Sequence, residues 1–96
     1  MKKSPDISVV VPVKNEAGNI EGLIQEIDYS LKKFNYEIIY INDGSKDSTG
    51  KKIKFILKNN KRLRVISHEE SQGQSAALRS GVIASQSPII ATLDGD

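Results

Sequence analysis

A chain of 96 residues holds one domain at most, and its 38% apolar and 27% charged residues are typical of a globular fold. The absence of cysteine excludes disulfides, thiolate catalysis and thiolate metal sites, and the single histidine excludes a histidine-rich metal site. The net charge of +2 is small, and the polar N-terminus lacks an apolar stretch that would predict a signal peptide or a membrane span.

Four apolar runs alternate with three amphipathic stretches along the chain. The apolar runs are short and bounded by turn residues, which predicts strands at 7–13, 36–41, 63–67 and 89–93. Apolar residues at helical spacing predict a first helix over 19–34 with Asn19 as its cap, and a second that Ser48 or Thr49 caps. Small residues over 75–85 predict a third helix, and Ala76, Ala77 and Gly81 would let that helix lie close to the sheet.

The order of these elements, β-α-β-α-β-α-β, predicts an α/β fold with a Rossmann-like parallel sheet and the strand order 3-2-1-4. In such a sheet the carboxyl ends of all strands lie at one edge, and ligands bind there near the switch point between strands 1 and 4. The polar segments that follow strands 1, 2 and 4 should therefore meet at one cleft. These segments are 14–16, 42–45 and 94–96.

Two of these segments carry carboxylates with more than one interpretation. Asp94 and Asp96 flank a glycine after strand 4, a spacing that suits one Mg²⁺ or Mn²⁺ ion but also suits an ordinary turn. Asp43 follows strand 2, where an acidic residue commonly accepts hydrogen bonds from a ribose or a base. Its neighbours are turn formers, so a turn with a helix cap is the alternative.

Other polar residues near the expected cleft also have two interpretations. Asn15 and Glu16 either contact a base or belong to an ordinary strand-to-helix loop. Gln74 precedes a predicted helix, a position that suits a phosphate, and Arg79 is either a phosphate ligand or a surface residue. The basic residues over 51–64 are interpreted as a solvated helix face, since they lack the interleaved aromatics of nucleic-acid binding. No nucleic-acid partner is therefore expected.

Taken together, four segments resemble family 2 glycosyltransferases, which have the GT-A fold. They are VVVPVKNE at 9–16, IIYINDGSKDST at 38–49, GQSAALRSG at 73–81 and IIATLDGD at 89–96. The last two look most similar to polyprenyl-phosphate glycosyltransferases of the dolichyl-phosphate mannose synthase type. The resemblance covers nearly the whole chain.

The resemblance implies a role for each matching position. Residues that would bind the nucleotide sugar are Pro12, Val13 and Glu16 at the base, Asp43 at the nucleoside, Gln74 in the nucleotide pocket and Asp94 at the ribose or the metal. Asp96 would hold Mg²⁺ or Mn²⁺ against the diphosphate, with Asp94 as a second metal residue. Asn42 stands where the family usually has an aspartate, which leaves its role open.

The resemblance also implies an activity that the chain would support only in part. Family members transfer a sugar from a UDP- or GDP-sugar to an acceptor, here a polyprenyl phosphate, and their general base lies beyond the equivalent of Asp96. Residues 1–96 are thus expected to form the N-terminal donor-binding part of a longer, membrane-associated protein, located in the cytoplasm or on the cytoplasmic face of the membrane. The alternatives are a nucleotide-binding fragment without turnover and a sugar-phosphate nucleotidyltransferase.

Overall fold

A computed structural model describes residues 4–15 and 18–93 of the chain. The strands within these ranges are β1 (Ile7–Val13), β2 (Tyr36–Asp43), β3 (Leu63–His68) and β4 (Ile89–Thr92). The helices are α1 (Ile20–Ser30), α2 (Thr49–Leu57) and α3 (Gln74–Ala84). The strands pair in parallel in the order β3-β2-β1-β4, which confirms the predicted fold class and topology.

The sheet has a core on each of its faces. Helices α1 and α2 cover one face, where Val9, Val11, Ile38 and Tyr40 are buried among their apolar side chains. Helix α3 covers the other face, where Ala77 packs with alternate residues of β1 and β2. The two central strands are buried on both sides, which explains why their sequences are continuous apolar runs without polar alternation.

Two strands extend further toward the cleft than predicted. Asn42 and Asp43 were expected in a loop, but they continue β2, where Asn42 pairs with Val13 and with Ser67. Asp43 pairs with His68, which extends β3 by one residue beyond its predicted end. Strands on both sides of β2 continue the hydrogen-bonded ladder there, and this support outweighs the low strand propensity of Asn and Asp.

The helix boundaries also differ from the prediction. Helix α1 was predicted to reach residue 34, but it ends at Ser30 because the chain turns there, and the Phe34 N–H donates to the Leu31 carbonyl at 2.8 Å. Ser48, one of the two residues predicted to cap α2, is its N-cap, and the Ser48 carbonyl accepts from the Lys52 N–H at 3.0 Å. Ser48 makes no capping bond with its side chain, and the Asp47 carboxylate instead accepts from the backbone N–H and the hydroxyl of Thr49.

One buried hydroxyl provides a test of the core. Tyr40 is fully buried, burial raises its pKa, and its hydroxyl has no hydrogen-bond partner within the described ranges. We expect Tyr40→Phe to raise the free energy of unfolding by about 1 kcal/mol, because an unpaired buried hydroxyl is removed without a cavity. Urea unfolding would measure this. Tyr29→Phe, at a side chain that is 74% exposed, is the control and should change little. A destabilising Tyr40→Phe would contradict the prediction.

Candidate functional site

A cleft of about 240 Å³ opens at the carboxyl edge of the sheet, between the ends of β1 and β2 and the start of α3. Its described lining consists of Pro12, Val13, Lys14, Asp43, Ser71, Gly73, Gln74 and Ala77. Four of the residues predicted to bind a nucleotide sugar are among them, namely Pro12, Val13, Asp43 and Gln74. The parallel topology therefore brings together residues that are far apart in the sequence, at the edge where ligands bind in such folds.

The other residues predicted to bind the donor or the metal fall outside the part of the chain that the structure describes. Glu16, Asp94 and Asp96 lie outside the described residues, so their roles stay predictions. Within residues 4–15 and 18–93, no group of three or more His, Cys, Asp or Glu side chains could hold a metal ion. Arg79 is exposed and is not part of the cleft lining.

The carboxylate of Asp43 is buried and accepts four hydrogen bonds from the protein. One oxygen accepts from the Gln72 backbone N–H at 2.8 Å and from His68 Nδ1 at 2.9 Å. The other accepts from the Ser71 hydroxyl at 2.9 Å and from the Gly73 backbone N–H at 3.0 Å. Burial alone would raise the pKa of Asp43, but these hydrogen bonds outweigh it and lower the pKa to about 2.

The hydrogen bonds of Asp43 decide what this side chain does in the folded protein. A carboxylate has about four acceptor positions, and here all four are used by protein donors. Ionised Asp43 therefore holds the segment 71–73, two residues of which line the cleft. A ligand that bonds to the Asp43 carboxylate must share or replace one of these donors.

His68 belongs to the site, although the sequence predicted no role for it there. It ends β3 directly opposite Asp43, and its side chain is only 10% exposed. Its Nε2 lies 3.0 Å from the hydroxyl oxygen of Ser80 on α3. One sequence feature could have indicated this role. The single histidine follows the predicted third strand, and Asp43 follows the predicted second strand, which is its neighbour in the sheet.

Asn15 connects the two loops at the mouth of the cleft. Its backbone adopts a left-handed conformation with φ of 54°, and its N–H donates to the Ser45 hydroxyl oxygen at 2.9 Å. Its side-chain oxygen accepts from the backbone N–H groups of Lys46 and Asp47, at 2.8 and 3.3 Å. Asn15 thus holds the loop after β1 against the loop after β2.

Asn42 has a comparable role within one loop. Its side-chain oxygen accepts from the Ser45 backbone N–H at 3.2 Å, and its own carbonyl accepts from the Gly44 N–H at 3.0 Å. These bonds close the turn that follows β2. Asn42, which stands where the family usually has an aspartate, therefore stabilises this turn.

Small residues let α3 lie close to the sheet, as predicted. Ala77 is fully buried, and a Cβ atom on Gly81 would lie 2.2 Å from Cγ1 of Val10. Ala76 is half-buried. Because α3 carries Gln74 and Ala77 at the cleft wall, its close approach sets the depth of the cleft.

A parallel sheet in the order 3-2-1-4, with a polar cleft at the carboxyl ends of its central strands, defines the class of Rossmann-like nucleotide-binding folds. Residues 8–96 match the family model described as Glycosyl transferase family 2. The chain therefore belongs to that family, which confirms the resemblance seen in its motifs.

Proteins similar to this chain include both sequence relatives and solved structures. A dolichol-phosphate mannosyltransferase from Pyrococcus furiosus is 32% identical over 90 residues, which are 94% of this chain and 25% of that protein. A mannosyltransferase from Pyrobaculum calidifontis, solved with GDP-Man and Mn²⁺, is 25% identical with a TM-score of 0.82 and is matched over 98% of this chain and 28% of its own.

A third similar protein is glucosyl-3-phosphoglycerate synthase from Mycobacterium tuberculosis, solved with Mn²⁺, UDP and glucosyl-3-phosphoglycerate. It is 29% identical with a TM-score of 0.76, over 96% of this chain and 34% of that one. These structures confirm the GT-A type of fold. The chain spans about a quarter to a third of the length of the proteins it matches.

Proposed function

We propose that this chain is the donor-binding part of a longer glycosyltransferase, which transfers a sugar from a nucleotide diphosphate sugar to an acceptor. The observation that carries the proposal is the cleft at the carboxyl edge, where Pro12, Val13, Asp43 and Gln74 converge in a chain of this family. Two similar structures hold GDP-Man and UDP, which supports UDP- or GDP-sugars as the donor class.

We propose that Asp94 and Asp96 hold a divalent cation at this cleft, with Glu16 completing the base pocket. Carboxylate oxygens are the ligands that Mg²⁺ and Mn²⁺ prefer, and Mn²⁺ is present in both similar structures. The described chain supports this placement, since the Leu93 N–H donates to the Val10 carbonyl at 3.0 Å and leads the chain along β1 toward the cleft. The ion would neutralise the departing diphosphate.

The acceptor and the general base are assigned to parts of the protein beyond Asp96. A polyprenyl phosphate is the proposed acceptor, by analogy with the dolichol-phosphate mannosyltransferase among the relatives. No helix in residues 4–15 and 18–93 is long and apolar enough to cross a bilayer. We assign membrane association to the longer protein, on the cytoplasmic face, and expect residues 1–96 alone to bind a donor without turnover.

Calorimetric titration with UDP and with GDP, each with and without Mn²⁺, tests this proposal. We expect one nucleotide to bind in a metal-dependent manner, because Asp94 and Asp96 would hold a cation that neutralises the diphosphate. Asp96→Asn should abolish the effect of Mn²⁺. Arg79→Ala, at an exposed residue outside the cleft lining, is the matched control and should leave the affinity unchanged.

A folded protein that binds neither nucleotide would contradict the assignment of the cleft. Turnover by the full-length protein then distinguishes the alternatives. Release of a nucleoside diphosphate from a sugar nucleotide supports glycosyl transfer. Release of pyrophosphate from a nucleoside triphosphate and a sugar phosphate would instead identify a nucleotidyltransferase.

A further inference from the structure

Two acidic residues of β2 are connected to α3 and its C-terminal end through basic residues of β3. Near the start of β2, Glu37 accepts from Arg64 at 2.9 Å, and Arg64 also donates to the Ala84 carbonyl at 3.0 Å. At the end of β2, Asp43 contacts His68 Nδ1, and His68 Nε2 contacts the Ser80 hydroxyl. Both connections lie on the face of the sheet that α3 covers. Only the Asp43 connection is at the cleft.

The order Asp43–His68–Ser80 has the connectivity of a serine hydrolase triad, but its surroundings do not suit that chemistry. Ser80 lies inside α3, where backbone N–H groups bond to carbonyls one turn earlier and cannot form an oxyanion hole. Neither His68 nor Ser80 lines the cleft. Both lie behind the cleft wall, which Asp43 helps to form, so a substrate carbonyl in the cleft would not reach Ser80.

We propose that His68 is a positioning residue for the donor site, an inference that rests on the function proposed above. Asp43 is ionised and can only accept hydrogen bonds, so His68 Nδ1 must carry a hydrogen. In the neutral ring, Nε2 then accepts from the Ser80 hydroxyl. This pair of bonds fixes the imidazole between β2 and α3, and the imidazole in turn fixes the plane of the Asp43 carboxylate.

The orientation of the Asp43 carboxylate matters because its other acceptor positions hold one wall of the cleft. Ser71, Gln72 and Gly73 donate to it, and Ser71 and Gly73 line the cleft directly. A carboxylate without its His68 contact can rotate, and the segment 71–73 would lose its defined position. His68 thus acts on a bound nucleotide through Asp43 and this segment, without touching the nucleotide.

Two substitutions at position 68 separate the two contacts of the ring. In His68→Asn, the side-chain NH₂ lies near the position of Nδ1 and can still donate to Asp43, while the Ser80 contact is lost. In His68→Gln, the NH₂ lies near the position of Nε2, so the Ser80 contact is kept and the Asp43 contact is lost. Ser80→Ala removes only the Ser80 contact and is a second control.

The experiment titrates the wild type and the three variants with the nucleotide that the wild type binds, in the presence of Mn²⁺. We expect His68→Gln to weaken binding about tenfold, the loss expected for one hydrogen bond to a charged group. His68→Asn and Ser80→Ala should stay within about threefold of the wild type. In turnover by the full-length protein, His68→Gln should raise KM and leave kcat unchanged.

Thermal unfolding of each variant accompanies the titration. If the wild type binds no nucleotide, the proposed function is refuted. If the wild type binds and His68→Gln binds with the same affinity, only the role of His68 is refuted. Equal loss of binding in His68→Asn and His68→Gln also overturns the proposal, because contact with Asp43 would then not matter. If His68→Gln does not fold, His68→Asn alone decides: wild-type affinity supports the proposal and a tenfold loss overturns it.

Discussion

Asp43→Asn is expected to lower the free energy of unfolding by about 2–3 kcal/mol. The buried carboxylate accepts hydrogen bonds at both of its oxygens, whereas the amide of asparagine has only one oxygen that can accept. The amide NH₂ would face two donors, either the Ser71 hydroxyl and the Gly73 N–H or the Gln72 N–H and His68. Urea unfolding at pH 7 measures the effect. Asp6→Asn, at an exposed carboxylate, is the control and should change little.

The same carboxylate should make stability depend on pH in the acid range. The pKa of Asp43 is about 2 in the folded protein and about 4 in an unfolded chain, so folding is favoured while the group is ionised. This contribution is complete above pH 4 and is lost as the pH falls toward 2, in total about 2 kcal/mol. Hydrogen bonds from Ser8, Arg64 and Gln86 outweigh the burial of Glu37 and lower its pKa, so Glu37 adds to the loss in the same direction.

Comparison of the wild type with Asp43→Asn isolates the contribution of Asp43 from that of Glu37. The difference in free energy of unfolding between the two proteins should shrink as the pH falls from 4 to 2, because the wild type loses its ionised carboxylate. A difference that stays constant over this range would show that Asp43 does not titrate there. In that case the pKa of Asp43 in the folded protein would not be lowered to about 2.

Gly44→Ala is expected to destabilise the protein by about 3 kcal/mol, which combines backbone strain with a steric clash. Gly44 has φ of 70°, and a Cβ atom there would lie 2.4 Å from the Ser71 nitrogen and 2.9 Å from the Glu70 carbonyl carbon. These are backbone atoms, so the clash can be relieved only by moving the segment that Asp43 holds. The variant should therefore also weaken nucleotide binding, measured by the same titration.

Two other glycines separate strain from steric clash. Gly73 has φ of 96° and ψ of 161°, a backbone region that is nearly restricted to glycine, with open space around the Cβ position. Gly73→Ala therefore carries strain alone and should lower the free energy of unfolding by about 2 kcal/mol. Gly22 lies in α1 with open space, and Gly22→Ala should stabilise by about 0.5–1 kcal/mol through its higher helix propensity. If Gly44→Ala lowers the free energy of unfolding by no more than Gly73→Ala does, Gly44 is not in close contact with the backbone of Glu70 and Ser71.

The amino-acid sequence by itself determined the fold and the location of the cleft. The predominantly apolar runs of β1 and β2 specify strands buried on both faces, and helical periodicity between them specifies the crossovers. Parallel connections then bring Pro12, Asp43 and Gln74 to the same edge of the sheet, because the carboxyl ends of all parallel strands lie there. The small residues Ala77 and Gly81 likewise specified the close packing of α3, because nothing larger fits at such a distance.

The hydrogen-bond partners at this edge were decided only by the tertiary structure. Asp43 looked like a ligand or a turn residue, yet it lies in a strand and accepts four hydrogen bonds from residues 68–73. Asn15 likewise bonds to the loop after β2, and His68 connects β2 to α3. These contacts join groups that are distant in the sequence. Local periodicity does not indicate which side chain will bond to which backbone N–H at the carboxyl edge of the sheet. Packing of the helices on the sheet sets those distances.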